Sequence, residues 1–283
     1  MNHPLRPAVG AHYLALAVFA VFAAFPLLWT LSVALSGDPS RMWFFPEALI
    51  PHEPGLIWFQ RVIDEIPVGR YLLNSLGIAL STMLLSTLLA IPCGYALSQI
   101  PFRGSNALFV LCLIAMMLPG ELAIIPNFLT FSRLDLLDTY SAVVLPALAS
   151  AFGVFLMRQA FQDLPQETLD AARVDGASEW QLLWRIALPQ CRPMVSALMI
   201  FTFVQSWNDY LWPAVVLKDR LKMPLAVGIF NDLTGPFSTS TSMVMAAVIV
   251  AALPVLVGFV LTQRYFVGNP KQDAEENTSN TGQ

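Results

Sequence analysis

PQETLDAARVDGASEWQLLWRIALPQC, residues 165–191, is the stretch on which the reading of this chain turns. It is a polar, charged island between two apolar stretches, each of a length to enter a membrane. Pro165 suits the first turn of a helix, where its missing N–H costs nothing. That helix is expected to run to about Asp175, with Gly176 as the left-handed residue that ends it. Ser178 then opens a second helix, and Gln181 three residues on completes a capping-box pattern. Trp180, Leu183, Trp184 and Ala187 follow at helical spacing, and Pro189 closes the run before Pro193 starts the next apolar segment.

Two readings of this helix-bend-helix compete. An amphipathic pair lying on a membrane would carry a polar face rich in lysine and arginine. Residues 158–192 instead hold four arginines against five acids. A docking surface would use Ala171 and Ala172, small residues beside Leu169, to let another surface approach. Its turn would present a compact knob with carboxylates at Asp170 and Asp175 and a cation at Arg173. Trp180 and Trp184 suit a membrane interface equally well, so the local residues leave both readings open.

Outward from the island the chain is apolar. Of its 283 residues 56% are hydrophobic and only 12% charged, where soluble domains run near ~25% charged. A membrane helix needs ~20 predominantly apolar residues, and six segments qualify or nearly do: about 13–35, 72–98, 106–126, 140–158, 193–215 and 243–263. The first is too long for a cleavable signal core of ~7–15 residues, so it reads as a retained span. The expected fold is an all-α membrane protein of six transmembrane helices. A single permease domain covers residues 1–268, with the polar helix-loop-helix at 163–192. Residues 36–70 and 216–242 read as loops, the latter with turns at Pro224, Gly228, Gly235 and Pro236. The tail 269–283, polar and without an aromatic, is expected to be disordered.

Other classes fall away. The net charge of −4 with no basic block argues against nucleic acid. Cys93, Cys112 and Cys191 are odd in number and unclustered, which suits buried small hydrophobes and neither a metal site nor a disulfide framework. No G-x-x-x-x-G-K-[ST] phosphate cradle occurs, and Lys218, Lys222 and Lys271 all lack a preceding glycine. His3, His12 and His52 lie outside span interiors and form no H-E-x-x-H. No catalytic set can be assembled, and the chain is read as a non-enzyme.

The spacing within the island matches a known element. Asp170-Ala171-Ala172, Gly176 four residues after Ala172, Ile186 ten after Gly176, and Leu188-Pro189 resemble the EAA loop of ABC importer permeases. The likeness continues outside it, at Leu73-Asn74-Ser75, Met117-Leu118-Pro119, Asp138-Thr139-Tyr140, Trp207-Asn208-Asp209-Tyr210-Leu211-Trp212-Pro213 and Leu225-Ala226-Val227-Gly228, and covers roughly residues 70–268. The chain is similar to the maltose- and glycerol-3-phosphate-type permease subunits. Asp170 departs from the more usual Glu, which shortens the carboxylate's reach by one methylene.

The resemblance implies an importer moving a sugar or related solute by alternating access. Partners would be a second permease subunit in a heterodimer, two ATPase subunits and an extracellular solute-binding protein. The chain would have no cofactor of its own, ATP being bound by the partners. The loop would seat in the ATPase through Asp170, Ala171, Ala172, Arg173, Asp175, Gly176, Ile186, Leu188 and Pro189. The loop at 216–242 would probe the binding protein. The chain would be multi-pass in the cytoplasmic membrane with both termini cytoplasmic. Charge hardly bears on orientation, with eight Lys and Arg on the inside set against seven outside.

Two carboxylates remain within spans, Glu121 and Asp209. Each is expected about 16 residues along its helix, ~24 Å of rise, and an intramembrane acid usually faces protein or water. With Trp207, Asn208 and Tyr210, and with Trp212 as a further ring, they are candidate residues of the solute path, oxygens for sugar hydroxyls and rings for sugar faces. A helix end dressed with an aromatic belt is the competing reading. A self-sufficient secondary transporter, or an importer of glycerol-3-phosphate, stands as the alternative function.

Overall fold

The computed structural model describes residues 6–38, 40, 43–233 and 240–266. The tail at 269–283 and the turns at Gly235 and Pro236 lie outside the described residues. Every extended element described is a helix. Residues as far as Gly69 with Gly228–Pro254 form one compact unit, and Arg70–Val227 with the last helix from Val255 the other.

In the first unit, α1 (Arg6–Leu35) is apolar on all sides and exposes residues such as Phe22 and Val21 along its length. Such a helix belongs in a bilayer. It leads into a segment pinned by Trp58 of α2 (Ile57–Glu65), whose Nε1 donates to Ser36 O at 2.7 Å.

The second unit is organised on α3 (Val68–Gln99), 32 residues without an acid. After it come α4 (Ser105–Met117), α5 (Ile124–Arg133), α6 (Tyr140–Ala147) and α7 (Ala151–Gln162). The island supplies α8 (Gln166–Val174), α9 (Glu179–Gln181) and α10 (Leu188–Gln190), the last two joined by a π-helical turn, Leu182–Ala187. Then follow α11 (Arg192–Asn208) and α12 (Leu211–Val216), and after them in the chain α13 (Leu225–Leu233) and α14 (Thr241–Phe266), each divided between the two units.

Three of these helices are long and apolar enough to cross a membrane alone, and up to six spans result if each bent pair is counted as one. The bends correct the expectation of straight spans. The third span breaks at Leu118-Pro119 and turns by 98° between Ser105–Met117 and Gly120–Arg133. Leu118 is extended, as a residue before proline prefers, and Pro119 has no N–H to continue the ladder. The fourth bends by 42° after Pro146, and Ser150 restarts it by accepting the Gly153 N–H at 2.9 Å. The fifth stops at Asn208 and resumes at Leu211. The loop expected over 216–242 contains α13, and Gly228 lies inside that helix, not in a turn.

Close approach between α3 and α7 holds the second unit together. A Cβ on Gly94 would sit 2.6 Å from Met157 Cβ and 2.8 Å from the Arg158 nitrogen. Around this contact Tyr95, Met157, Phe161, Leu169, Leu182 and Leu198 form one buried cluster, with Tyr95 edge-on to Phe161 at 5.5 Å. The cluster draws residues from the spans and from the polar island alike, so the island is packed onto the bundle and not laid beside it.

Candidate functional site

The island folds much as its sequence dictates. Gly176 has φ of +85°, the left-handed conformation a side chain resists. The N–H of Ala177 bonds Ala172 O and that of Gly176 bonds Arg173 O, both at 3.0 Å, which closes the helix in a Schellman motif. Ser178 and Gln181 make both bonds of the capping box, at 3.3 and 2.9 Å. Two details differ from expectation. Pro165 is the cap before α8 and not its first helical residue, and the second helix runs through Pro189 to Gln190 before Cys191 breaks it. Pro189 gives no N–H to the preceding turn of this helix, which ends one residue later.

The nine residues expected to meet an ATPase divide by direction. Asp170, Ala171, Asp175 and Gly176 are exposed. Ala172, Ile186 and Leu188 instead pack, half-buried, against the core cluster, and Pro189 is half-buried too. Each of these four is thus packed on one side and open to solvent on the other. Arg173 ties the bend together, donating to Asp170 Oδ1 at 2.8 Å and Glu179 Oε1 at 3.1 Å. Glu179 also accepts from Tyr95 of α3 at 2.6 Å. Burial works against the Glu179 charge, but the hydrogen bonds from Tyr95 and Arg173 outweigh it and hold the carboxyl below its usual range. The Glu179 bond in turn raises the Arg173 guanidinium above its ordinary value.

Leu169 and Val174, the second not singled out from the sequence, define the bend's two faces. Leu169 is fully buried in the core cluster, whereas Val174, at 88% exposure, is an apolar side chain offered to solvent. A spacing of five places them on opposite sides of α8, and only the packing says which is inward.

At the other end of α3, Asn74 bonds Leu221 O and Met223 O at 2.8 and 2.9 Å and accepts from Tyr140 OH at 2.8 Å. Ser75 Oγ accepts the Leu225 N–H at 2.7 Å, at the start of α13. Asn74 and Tyr95 are 21 positions apart, about 31 Å of helix. One rigid helix therefore fixes the bend at one end and the 217–225 segment at the other. That segment is clasped by Asp138, which accepts from the Asp219 and Lys218 amides, each at 2.9 Å, and from Lys222 Nζ at 2.7 Å.

The Asp219 amide, then Lys222 and the Lys218 amide, pull the Asp138 carboxyl down to about 2. A carboxyl lowered on folding stabilises fully above its ordinary value. The contribution then fades as pH falls from about 3.8 to about 2. Asp138→Asn removes the ion pair and should raise hydrogen exchange at the Lys218 and Asp219 amides by about tenfold at neutral pH. In the unmutated chain the protection factors of the same two amides, corrected for the intrinsic exchange rate at each pH, should fall as pH drops from about 3.8 towards about 2.

Between these ends lie two cavities that carry polar residues in otherwise apolar linings. One, of about 500 Å³, is lined by side chains of α3 and α11 with Asn208, Asp209 and Tyr210. The other, of about 430 Å³, is lined by Glu121, Asn127, Trp212 and again Asp209. Asp209 stands in the break between α11 and α12, where its Oδ1 accepts the Trp212 N–H at 3.4 Å. Asn208 spends its amide N–H on Val204 O at 2.8 Å. Glu121 lies on the 3-10 turn Gly120–Ala123 beyond the 98° bend, so its depth is not that of a straight span. Trp207, expected with them, is 6% exposed, stacks on Phe203 at 5.7 Å and lines neither cavity. Trp212 takes a place there, anchored by its Nε1 bond to Ala142 O at 2.9 Å.

Comparison with known proteins supplies the class of this bundle of broken spans with its anchored polar bend. Residues 69–267 match the family described as binding-protein-dependent transport system inner membrane component. The chain belongs to that family. It is 33% identical over 264 residues to the arabinooligosaccharides transport system permease protein AraQ of Halalkalibacterium halodurans, covering 89% of this chain and 90% of that one. It is 36% identical over 263 residues to the sn-glycerol-3-phosphate transport system permease protein UgpE of Yersinia pestis, covering 90% and 93%. Its fold is similar to a chain in the crystal structure of a bacterial ABC transporter involved in the import of the acidic polysaccharide alginate. That match has a TM-score of 0.82 at 23% identity and spans 94% of this chain and 99% of the other. The protein is thus a multi-pass ABC importer permease.

Proposed function

We propose that this permease moves a sugar or related solute across the cytoplasmic membrane by alternating access, driven by two separate ATPase subunits that bind the ATP. A second permease subunit completes the pore, and an extracellular solute-binding protein delivers the cargo. In this reading the Gly176 bend and both termini are cytoplasmic, and the clasped 217–225 segment with α13 faces the binding protein. The observation that carries it is the two-faced bend. Its exposed tip, with Asp170, Val174 and Gly176, is free to seat in a partner, while Leu169 and Glu179 join it to α3, α7 and α11. Closure of the ATPases then displaces the bend and, through one packed core, the helices around the cavities.

Val174→Glu tests this reading. Val174 touches no core, so the bundle is expected to fold normally. A carboxylate carried into a buried interface costs several kcal/mol unless paired. The variant should therefore extract from membranes without its ATPase and lose ATP-driven uptake by at least tenfold. Full co-purification with undiminished uptake would place the partner elsewhere.

A further inference from the structure

On the permease reading, we infer that this subunit's share of the path binds an uncharged, hydroxyl-rich solute and repels anionic ones, through a polar stripe on α11 facing a second stripe on α3. The stripe on α11 is Thr202, Gln205 and Ser206, at i, i+3 and i+4, a spacing that puts the three on one helix face. Asp209, in the break just beyond the helix, joins them in lining the 500 Å³ cavity. Across from them are Thr82 and Ser86, one turn apart on α3. Ser86 is 1% exposed, and its hydroxyl is buried without a hydrogen-bond partner. Helices this apolar carry polar residues together only where they face protein or water. The cavity is within the size range of small-molecule sites.

The charge content decides the solute class. Hydroxyl and amide groups both donate and accept, which suits sugar hydroxyls. Together the two cavities hold the carboxylates Glu121 and Asp209, and among the described residues no lysine, arginine or histidine lines either. Phosphate and carboxylate groups are bound by paired cations, and here they would meet a like charge. The relatives are named for a neutral and an anionic solute in turn, so likeness alone does not choose between them. The cavity lining favours the neutral class.

The test is solute binding to the assembled, nucleotide-free transporter without its binding protein, read by saturation-transfer NMR with arabinotriose and with trigalacturonate. Arabinotriose should bind, and trigalacturonate about tenfold more weakly, the factor one like charge ~6 Å away imposes at an effective dielectric constant of ~40. Thr202→Val combined with Gln205→Leu should abolish arabinotriose binding. Asp209→Asn should raise trigalacturonate binding towards the neutral level, a gain that misfolding cannot mimic. Equal binding of the two sugars, binding of neither, or indifference to these substitutions overturns the inference. The permease reading would survive any of those results if ATP-driven uptake persisted, and would fall only with that uptake.

Discussion

Gly94→Val is expected to remove almost all folded protein from the membrane. The first added carbon would lie 2.6 Å from Met157 Cβ and 2.8 Å from the Arg158 backbone nitrogen, well inside contact distance. Backbone cannot rotate away as a flexible side chain can. Overpacking usually costs ~1–3 kcal/mol where neighbours yield, and here α3 and α7 must separate, so the loss should exceed ~3 kcal/mol. Separation would also break Gln99 Nε2 to Phe161 O, at 2.6 Å, and Arg158 Nε to Leu97 O, at 3.3 Å. Gly77 offers the control, because a Cβ there meets nothing within 4 Å. Gly77→Ala should accumulate like the parent in quantitative membrane blots, while Gly94→Val should be nearly absent.

Leu169→Ala should have the second-largest effect, and a different one. Leu169 is fully buried and is the side chain by which α8 enters the core. Truncating a buried leucine costs ~2–5 kcal/mol, depending on how far the site collapses. That loss falls on the short helix and not on the long spans, since α3, α7 and α11 keep their mutual contacts. The bend should loosen while the bundle stays folded. The ATPase would remain bound through the exposed tip, yet ATP hydrolysis would no longer drive uptake. The expected result is hydrolysis within about twofold of the parent and uptake reduced by at least tenfold, the fall that ~1.4 kcal/mol in coupling produces. Proportional loss of both activities would mean that the core contact stabilises the chain without transmitting motion.

The contrast with Val174→Glu shows what the sequence could and could not tell. The bend was legible because its determinants are local. Gly176 at the left-handed position and Ser178 with Gln181 at a helix start specify their geometry within a few residues. The apolar segments were legible from composition. Their breaks were less so, since proline is common in membrane helices and is often accommodated by neighbours. Leu118-Pro119 turns the chain by 98°, whereas α3 runs through Pro92 unbroken. Which face of α8 is buried depends on Tyr95, Phe161 and Leu182, far away in sequence. Ala172, Ile186 and Leu188 share the motif with Asp170 and Gly176, and only the packing separates those that anchor from those that protrude. Trp207 and Trp212 read alike in sequence. The break at Asp209 turns one into the core and the other towards a cavity.

The claim at the centre of the account is that the Gly176 bend seats in the ATPase and must move for transport. It is tested most directly by Ala171→Cys in a chain whose three native cysteines are replaced by alanine. Inside-out vesicles of the complete importer, loaded with solute and binding protein, would be treated with a reagent that carries a maleimide at one end and a photoactivated benzophenone at the other, so that no thiol on the ATPase is needed. The expected result is a covalent product joining this subunit to the ATPase subunit, with ATP-driven release of solute into the medium stopped in proportion to its yield. Labelling of position 171 from the outside of intact cells, or transport at the full rate with the two subunits joined, would contradict it.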